Sequence, residues 1–256
     1  MGPPPDTDLP SDPTRLASAL LKALQQHANP DNVAGMKRFG ISTAGTLGVS
    51  MVEVRSLAGE AKRALGRDPQ ALHELASGLW GSGIHEARIM AAVLDAPALV
   101  TRAQAESWAL DLDSWDVCDQ LCGNLLWRTA FAWQLPADWA GRNETFVRRA
   151  GLVVITQLAV KDKKAGDAAV ASLLDEVDEA AFDERNDVKK AASWAIRQVG
   201  KRSPTCHGAA VECAERILAR VPERGGTAAE AAARWAARDA LRELRSPAVL
   251  GRLRLG

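Results

Sequence analysis

The stretch "VRRAGLVVITQLAVK" begins at Val147, and "VKKAASWAIRQVGKR" repeats its pattern from Val188. A second step of the same length carries Trp194 and Arg197 onto Trp235 and Arg238, in "ARWAARDALREL". Each segment has apolar residues at helical spacing, and a period of about 40–47 residues built of helix pairs is that of HEAT-type solenoids. Such a unit cannot bury its apolar face alone, so each needs its neighbours. The repeat therefore requires helices packed side by side, with equivalent faces pointing the same way. An earlier segment, "IHEARIMAAVLDAPALV", follows the unit more loosely.

The rest of the chain agrees. From "TRLASALLKALQQHA" onward, nearly every segment is Ala/Leu/Val-rich at helical spacing and ends at polar, Gly or Pro breaks. Only "GISTAGTLGVS" (40–50) is non-helical over any length, and no alternating strand pattern of useful length occurs. The fold class is all-α. Residues 1–13, with five prolines, read as a disordered tail, and residues 14–256 as a single HEAT-like repeat domain. The Pro- and Asp-rich start has no apolar core of a secretory leader, and no apolar run approaches the ~20 residues of a membrane span. A cytoplasmic protein with no membrane contact is expected.

The chain carries 32 basic and 32 acidic residues. As a whole it offers no attraction to a polyanion, so nucleic-acid binding requires its cations to be gathered on one face. The repeat supplies one. Lys190, Trp194, Arg197 and Lys201 share a narrow helical stripe, its equivalent one unit later carries Trp235, Arg238 and Arg242, and one unit earlier it begins at Arg149. Side by side, these stripes tile a basic surface with interspersed indoles. Basic side chains alone do no more than solvate a helix, but a large indole in register with them on a solvated face needs a reason. The acidic cluster "DEVDEAAFDERND" (175–187) is expected on another face.

Other marked residues read as structural. Cys118, Cys122, Cys206 and Cys213 form no CxxC pair and read as free thiols in a reducing compartment. Cys206, His207 and Cys213 come nearest to a ligand set, but no metal is expected. His27, His73, His85 and His207 have no arrangement suggesting a triad. Trp80, Trp108, Trp127, Trp133 and Trp139 read as core or groove fillers. "TAGTLGVS" lacks the Lys and strand context of a P-loop and reads as a loop placing Ser50 and backbone N–H groups near a phosphate.

One segment stands apart. In "SWDVCDQLCGN" (114–124), Asp113 or Ser114 can cap a helix beginning at Trp115, with Asp116 in its first turn. Val117, Cys118, Leu121 and Leu125 then face the core. Asp119 lies roughly 40° around the helix from Trp115, at the core's edge against an indole. By spacing alone, such a carboxylate is a surface group or the partner of an arginine.

Taken in order, "GVSMVEVRSLA", "ELASGLWGSGIHEARIMAAVLD", "SWDVCD", "FVRRAGLV" and "VKKAASWAIR" resemble the AlkD-type alkylpurine DNA glycosylases, from about residue 16 to 220. Met51 stands where that family's early loop usually has proline. The resemblance implies a right-handed α-solenoid of HEAT-like repeats with a concave DNA-binding face. It implies excision of positively charged N3- or N7-alkylated purines, such as 3-methyladenine and 7-methylguanine, from duplex DNA. In that family a Trp and an Asp four residues apart supply an indole and the catalytic carboxylate, matched by Trp115 and Asp119. Arg149 matches the arginine at the lesion, and Trp194 the second indole. Lys190 and Arg197, with Arg148, Lys201, Ser50, Trp235 and Arg238, are the expected DNA contacts. The resemblance calls for no cofactor, and no lysine is placed as a Schiff-base nucleophile, so the expected enzyme is a monofunctional, monomeric glycosylase. The competing expectations are an inactive binder of distorted or branched DNA on the same scaffold, or a protein-interaction solenoid.

Overall fold

The computed structural model describes residues 9–255, which contain helices and no strand. They form two compact units, one ending at Ala130 and the other beginning at Phe131. In the first, α1 (Pro13–Gln26), α2 (Pro30–Lys37), α3 (Met51–Ala64), α4 (Pro69–Gly81), α5 (His85–Leu94), α6 (Arg102–Leu110) and α7 (Trp115–Asn124) precede a short 3-10 turn, Leu126–Arg128. In the second, the order is α8 (Leu135–Trp139), α9 (Thr145–Lys161), α10 (Asp167–Ser172), α11 (Asp175–Ala180), α12 (Asn186–Gly200), α13 (Pro204–Ala219), α14 (Ala228–Leu244) and α15 (Pro247–Leu253).

Local chemistry sets many helix starts. Asp12, Asn29, Ser50, Asp68, Thr101, Ser203, Thr227 and Ser246 each accept a backbone N–H of the first turn. Five of these helices also open on proline, which has no N–H to leave unpaired there. Thr227 and Glu230 complete a reciprocal capping box on α14. Of the tail expected over residues 1–13, residues 1–8 lie outside the described residues. Its other end belongs to α1, because Asp12 accepts the Arg15 N–H at 2.9 Å and the helix begins at Pro13.

The repeat is visible in the second unit, where α9, α12 and α14 begin at Thr145, Asn186 and Ala228, evenly spaced along the chain. Lys189 meets Trp235, Ser193 meets Asp239, and Arg197 meets Glu243, each pair 46 residues apart, so α12 and α14 lie side by side and parallel. Their inner faces are small: Ala191, Ala192 and Ala195 on α12, and Ala233, Ala236, Ala237 and Ala240 on α14, are all but inaccessible. α9 is buried from Arg149 through Ala159 without a break and packs on α8 and α12. A helix apolar on every side is one covered on every side.

In the first unit α4 packs on α1 and α5, and α5 on α3 and α7. Residues 40–50 form the expected non-helical connection. Gly45 and Gly48 adopt φ of +67° and +78°, and a Cβ on Gly45 would stand 2.6 Å from the Gly83 carbonyl oxygen. Both conformation and space exclude larger residues there.

Close packing makes a measurable demand at Gly151, where an added Cβ would lie 2.8 Å from the backbone nitrogen of Ala140 and 3.1 Å from Trp139. Backbone cannot yield as a flexible side chain does. Gly151→Ala is expected to destabilise the protein by about 1–3 kcal/mol, seen as a lower urea midpoint, despite alanine's better helix propensity.

Candidate functional site

α7 begins at Trp115, as the sequence suggested, with Ser114 at the N-cap in extended conformation. The cap works differently from the expected side-chain hydrogen bond to the helix. The Ser114 hydroxyl donates to Asp116 Oδ1 at 2.6 Å and accepts the Ser42 N–H at 3.3 Å. Ser42 Oγ donates in turn to Asp113 Oδ2 at 2.8 Å, tying the start of α7 to the 40–50 loop. Val117, Cys118, Leu121 and Leu125 are buried as expected, and Asp119 is half-buried at the margin of that arc. Trp115 Nε1 donates to the Phe39 carbonyl at 3.0 Å, which holds the indole in one orientation.

The 40–50 loop departs from expectation. Its N–H groups at Leu47, Gly48 and Val49 all point to the carboxylate of Glu86, at 3.0, 2.6 and 3.1 Å. Glu86 is buried, and successive amides around an anion form a nest. These donors are already satisfied internally and are not available to a phosphate. Ser50 is exposed and caps α3 through the Glu53 N–H at 3.2 Å. Glu86 lies within "ELASGLWGSGIHEARIMAAVLD", and its partners lie 37–39 residues away.

Two of the four histidines pair with carboxylates. His85 Nε2 stands 2.8 Å from Asp116 Oδ2, and His73 Nδ1 stands 2.7 Å from Asp95 Oδ1. Burial pushes the His85 imidazole down, but hydrogen bonding to Asp116 and the charges of Asp116, Glu86 and Asp113 outweigh it and hold its pKa above the ordinary 6.5. Burial raises Asp116, yet the His85 bond and charge and the Ser114 hydroxyl outweigh that and hold it below 3.8. Both residues line a cavity of about 540 Å³ with Trp115, Met36, Phe39, Ile41, Val49, Ser50, Met51, Ile89 and Gln120. Asp119 is not among its lining residues.

In the second unit the basic stripe is partly neutralised. Arg197 Nη1 bonds Glu243 at 2.7 Å and its Nε lies 3.7 Å from Asp239, while Lys201 Nζ bonds Glu243 at 2.6 Å. Those two cations hold Glu243 below its ordinary pKa against the opposing effect of burial. The reason is register. Trp235 begins a row whose next members one and two turns on, Asp239 and Glu243, face α12, so α14 answers the α12 stripe with acid. Arg149 is buried and donates to the Asp187 carbonyl at 2.7 Å, joining α9 to the start of α12. Arg148 pairs with Asp183 at 3.2 Å, so the acidic segment is not wholly segregated from the predicted contacts. Lys190, Trp235 and Arg238 are exposed and Trp194 half-buried.

A family model described as "DNA alkylation repair enzyme" matches residues 20–244. The chain belongs to the DNA alkylation repair enzyme family. No curated protein shows significant sequence similarity to it. A solved structure from a new family of proteins related to the HEAT-like repeat DNA glycosylases, with affinity for branched DNA structures, superposes with a TM-score of 0.64 at 15% identity. The superposition covers 85% of this chain and 92% of that one. The likeness is one of fold, and it makes this DNA alkylation repair family member an all-α protein of HEAT-like repeats.

Other expectations for this family member sort by burial. Trp80 and Trp108 stack at 4.2 Å inside the first unit, and Trp139 is buried in the second, whereas Trp133 is exposed with its Nε1 on Asp162 at 3.2 Å. The four cysteines are buried free thiols, and burial pushes Cys213 up to about 12. Cys206, His207 and Cys213 each meet a different backbone carbonyl, and no metal-binding cluster occurs among the described residues. No helix among them is long and apolar enough to cross a membrane.

The His85–Asp116 pair has a pH signature. A raised folded pKa at His85 contributes stability that is fully present below the unfolded value of 6.5 and is lost as pH rises through the folded value. The unfolding midpoint is expected to fall on going from pH 6 to pH 9. Asp116→Asn, which removes the charge that raises His85, is expected to flatten that slope in urea titrations at each pH.

Proposed function

We propose that the chain is a monofunctional DNA glycosylase that hydrolyses the N-glycosidic bond of positively charged N3- or N7-alkylated purines in duplex DNA, acting as a cytoplasmic monomer. Asp119 is the catalytic carboxylate, served by Trp115, Trp194 and Arg149. Arg148, Lys190, Arg197, Lys201, Ser50, Trp235 and Arg238 contact the DNA. The family membership supports the reading. The observation that carries it is the first two turns of α7, where an indole anchored on the Phe39 carbonyl precedes a half-buried carboxylate by one helical turn.

The chemistry asks little more of the protein. Alkylation at N3 or N7 makes the purine cationic, so when the C1′–N9 bond breaks its electron pair neutralises the departing base. Positive charge develops on the sugar, and a water oxygen bonds to C1′ as its proton passes to a base. The products are the free alkylpurine and an abasic site. A carboxylate beside C1′ stabilises the oxocarbenium charge and orients the water. Indole faces hold the cationic base by cation–π attraction. Basic side chains on phosphates set position without reading sequence. Arg149 acts in this scheme from a buried position, its Nη1 already braced on the Asp187 carbonyl.

A second reading is favoured by two observations. The similar solved fold belongs to proteins with affinity for branched DNA structures, and Glu243 pairs with both Arg197 and Lys201, offsetting part of their charge and weakening a grip on regular duplex. In that reading the chain binds distorted or branched DNA without excision.

Release of 7-methylguanine and 3-methyladenine from methylated duplex separates the two. The wild type is expected to release base, and Asp119→Asn to do so about 10²–10⁴-fold more slowly while still binding the duplex. Equal release by both proteins removes Asp119 from the mechanism. DNA binding without release by either leaves the second reading.

A further inference from the structure

α14 buries its alanine row against its neighbours and turns Arg234, Trp235, Arg238 and Arg242 outward along a surface groove of about 460 Å³. Trp235 is 41% exposed, far from the burial expected of so large an apolar side chain. The Lys189 ammonium sits 5.5 Å from its ring centroid, a cation–π contact that steadies the indole without covering it. The arginines are held in place by backbone. Arg234 donates to the carbonyls of Pro222 and Gly225 at 2.6 and 2.8 Å, and Arg238 to that of Glu223 at 3.3 Å. These bonds fix both guanidiniums without cancelling their charge. Arg242 pairs with Asp239, whose other oxygen accepts the Ser193 hydroxyl at 2.7 Å. Three guanidiniums and one ammonium thus surround the indole against a single carboxylate in the groove.

That combination selects a ligand. Guanidiniums on an exposed face suit phosphates, which any duplex offers. The indole face is different, because in a paired duplex every base is already stacked on its neighbours. Only a strand with an unpaired base presents a π-face and phosphates together. We propose that the α14 groove binds an unpaired base and its flanking phosphates in DNA, with the base stacked on Trp235. This rests on the DNA-binding reading above and adds to it the kind of strand recognised: one opened at a gap, bulge or branch.

The test uses the full chain and three labelled probes of equal length: a matched duplex, a duplex with a two-nucleotide bulge, and the same bulge with abasic nucleotides. The wild type is expected to bind the bulge more tightly than either other probe. Trp235→Ala is expected to weaken bulge binding by about 5- to 100-fold, to weaken the matched duplex by a much smaller factor, and to abolish the preference over the abasic bulge. Trp235→Phe keeps most of that preference, since a phenyl ring still stacks. Arg238→Ala with Arg242→Ala is expected to weaken all three probes and to flatten the salt dependence. If Trp235→Ala weakens all probes alike, or none, the stacking proposal falls while DNA binding itself stands. A wild type that binds no probe at low salt overturns both.

Discussion

A seventeen-residue helix buried along most of its length can persist only where other helices cover every side of it, and α9 imposes that condition on the second unit. α8 and α12 supply much of the cover. The approach is close enough that Gly151 has no room for a methyl group against Ala140. The same burial decides how Arg149 can exist there. A guanidinium withdrawn from water needs its donors satisfied, and the carbonyl of Asp187 meets one of them at the point where α12 begins. One side chain therefore fixes the start of one repeat against the body of the one before.

Repetition also determines what the cations can do. Half-exposed ion pairs such as Arg197–Glu243 and Lys201–Glu243 contribute little to stability, typically about 0–1 kcal/mol each, because solvent screens them. Their effect on the outward field is larger in consequence. A cation paired with a carboxylate attracts a phosphate less strongly, and Glu243 shares its single charge between two. What remains strongly basic on α14 is the outward face, where Arg234 and Arg238 are braced on carbonyls rather than carboxylates. A backbone acceptor positions a guanidinium and leaves its net charge intact. The chain can be neutral overall and still present a local cationic face.

This explains which features were legible in the sequence. The repeat period and the helix class follow from patterns local to each segment, and the structure places α9, α12 and α14 on that spacing. The start of α7 at Trp115 was equally readable, since capping and periodicity act within a few residues. What escaped depends on a neighbour's face. One helix's pattern says which side is polar but not what the adjacent helix brings to it. The carboxylates of Asp239 and Glu243 were plain in "ARWAARDALREL", yet their meeting with α12 depends on a 46-residue offset between facing positions, longer than the repeat itself. Glu86 and His85 escaped for the same reason. Their partners, at Gly48 and Asp116, are 38 and 31 residues away on other elements.

His85 bears directly on whether Asp116 of α7 is fitted for chemistry. Asp116 lines the cavity and Asp119 does not, so proximity to open space alone would favour Asp116. Its bonding argues otherwise. One oxygen meets His85, the other accepts the Ser114 hydroxyl, and Ser114 and Asp113 are linked in turn to Ser42. A carboxylate whose two oxygens hold three elements together would have to break those bonds to face a sugar. Its low pKa reflects that role, since His85 and Ser114 stabilise the anion. The network holds the first turn of α7, and with it Trp115, in a geometry tied to the Phe39 carbonyl and to the 40–50 loop. An electrostatic catalyst gains most from such prior ordering, because charge that develops on the substrate then meets groups that need not reorganise. Asp116 is thus suited to positioning the start of α7 and the indole beside it rather than to facing a substrate.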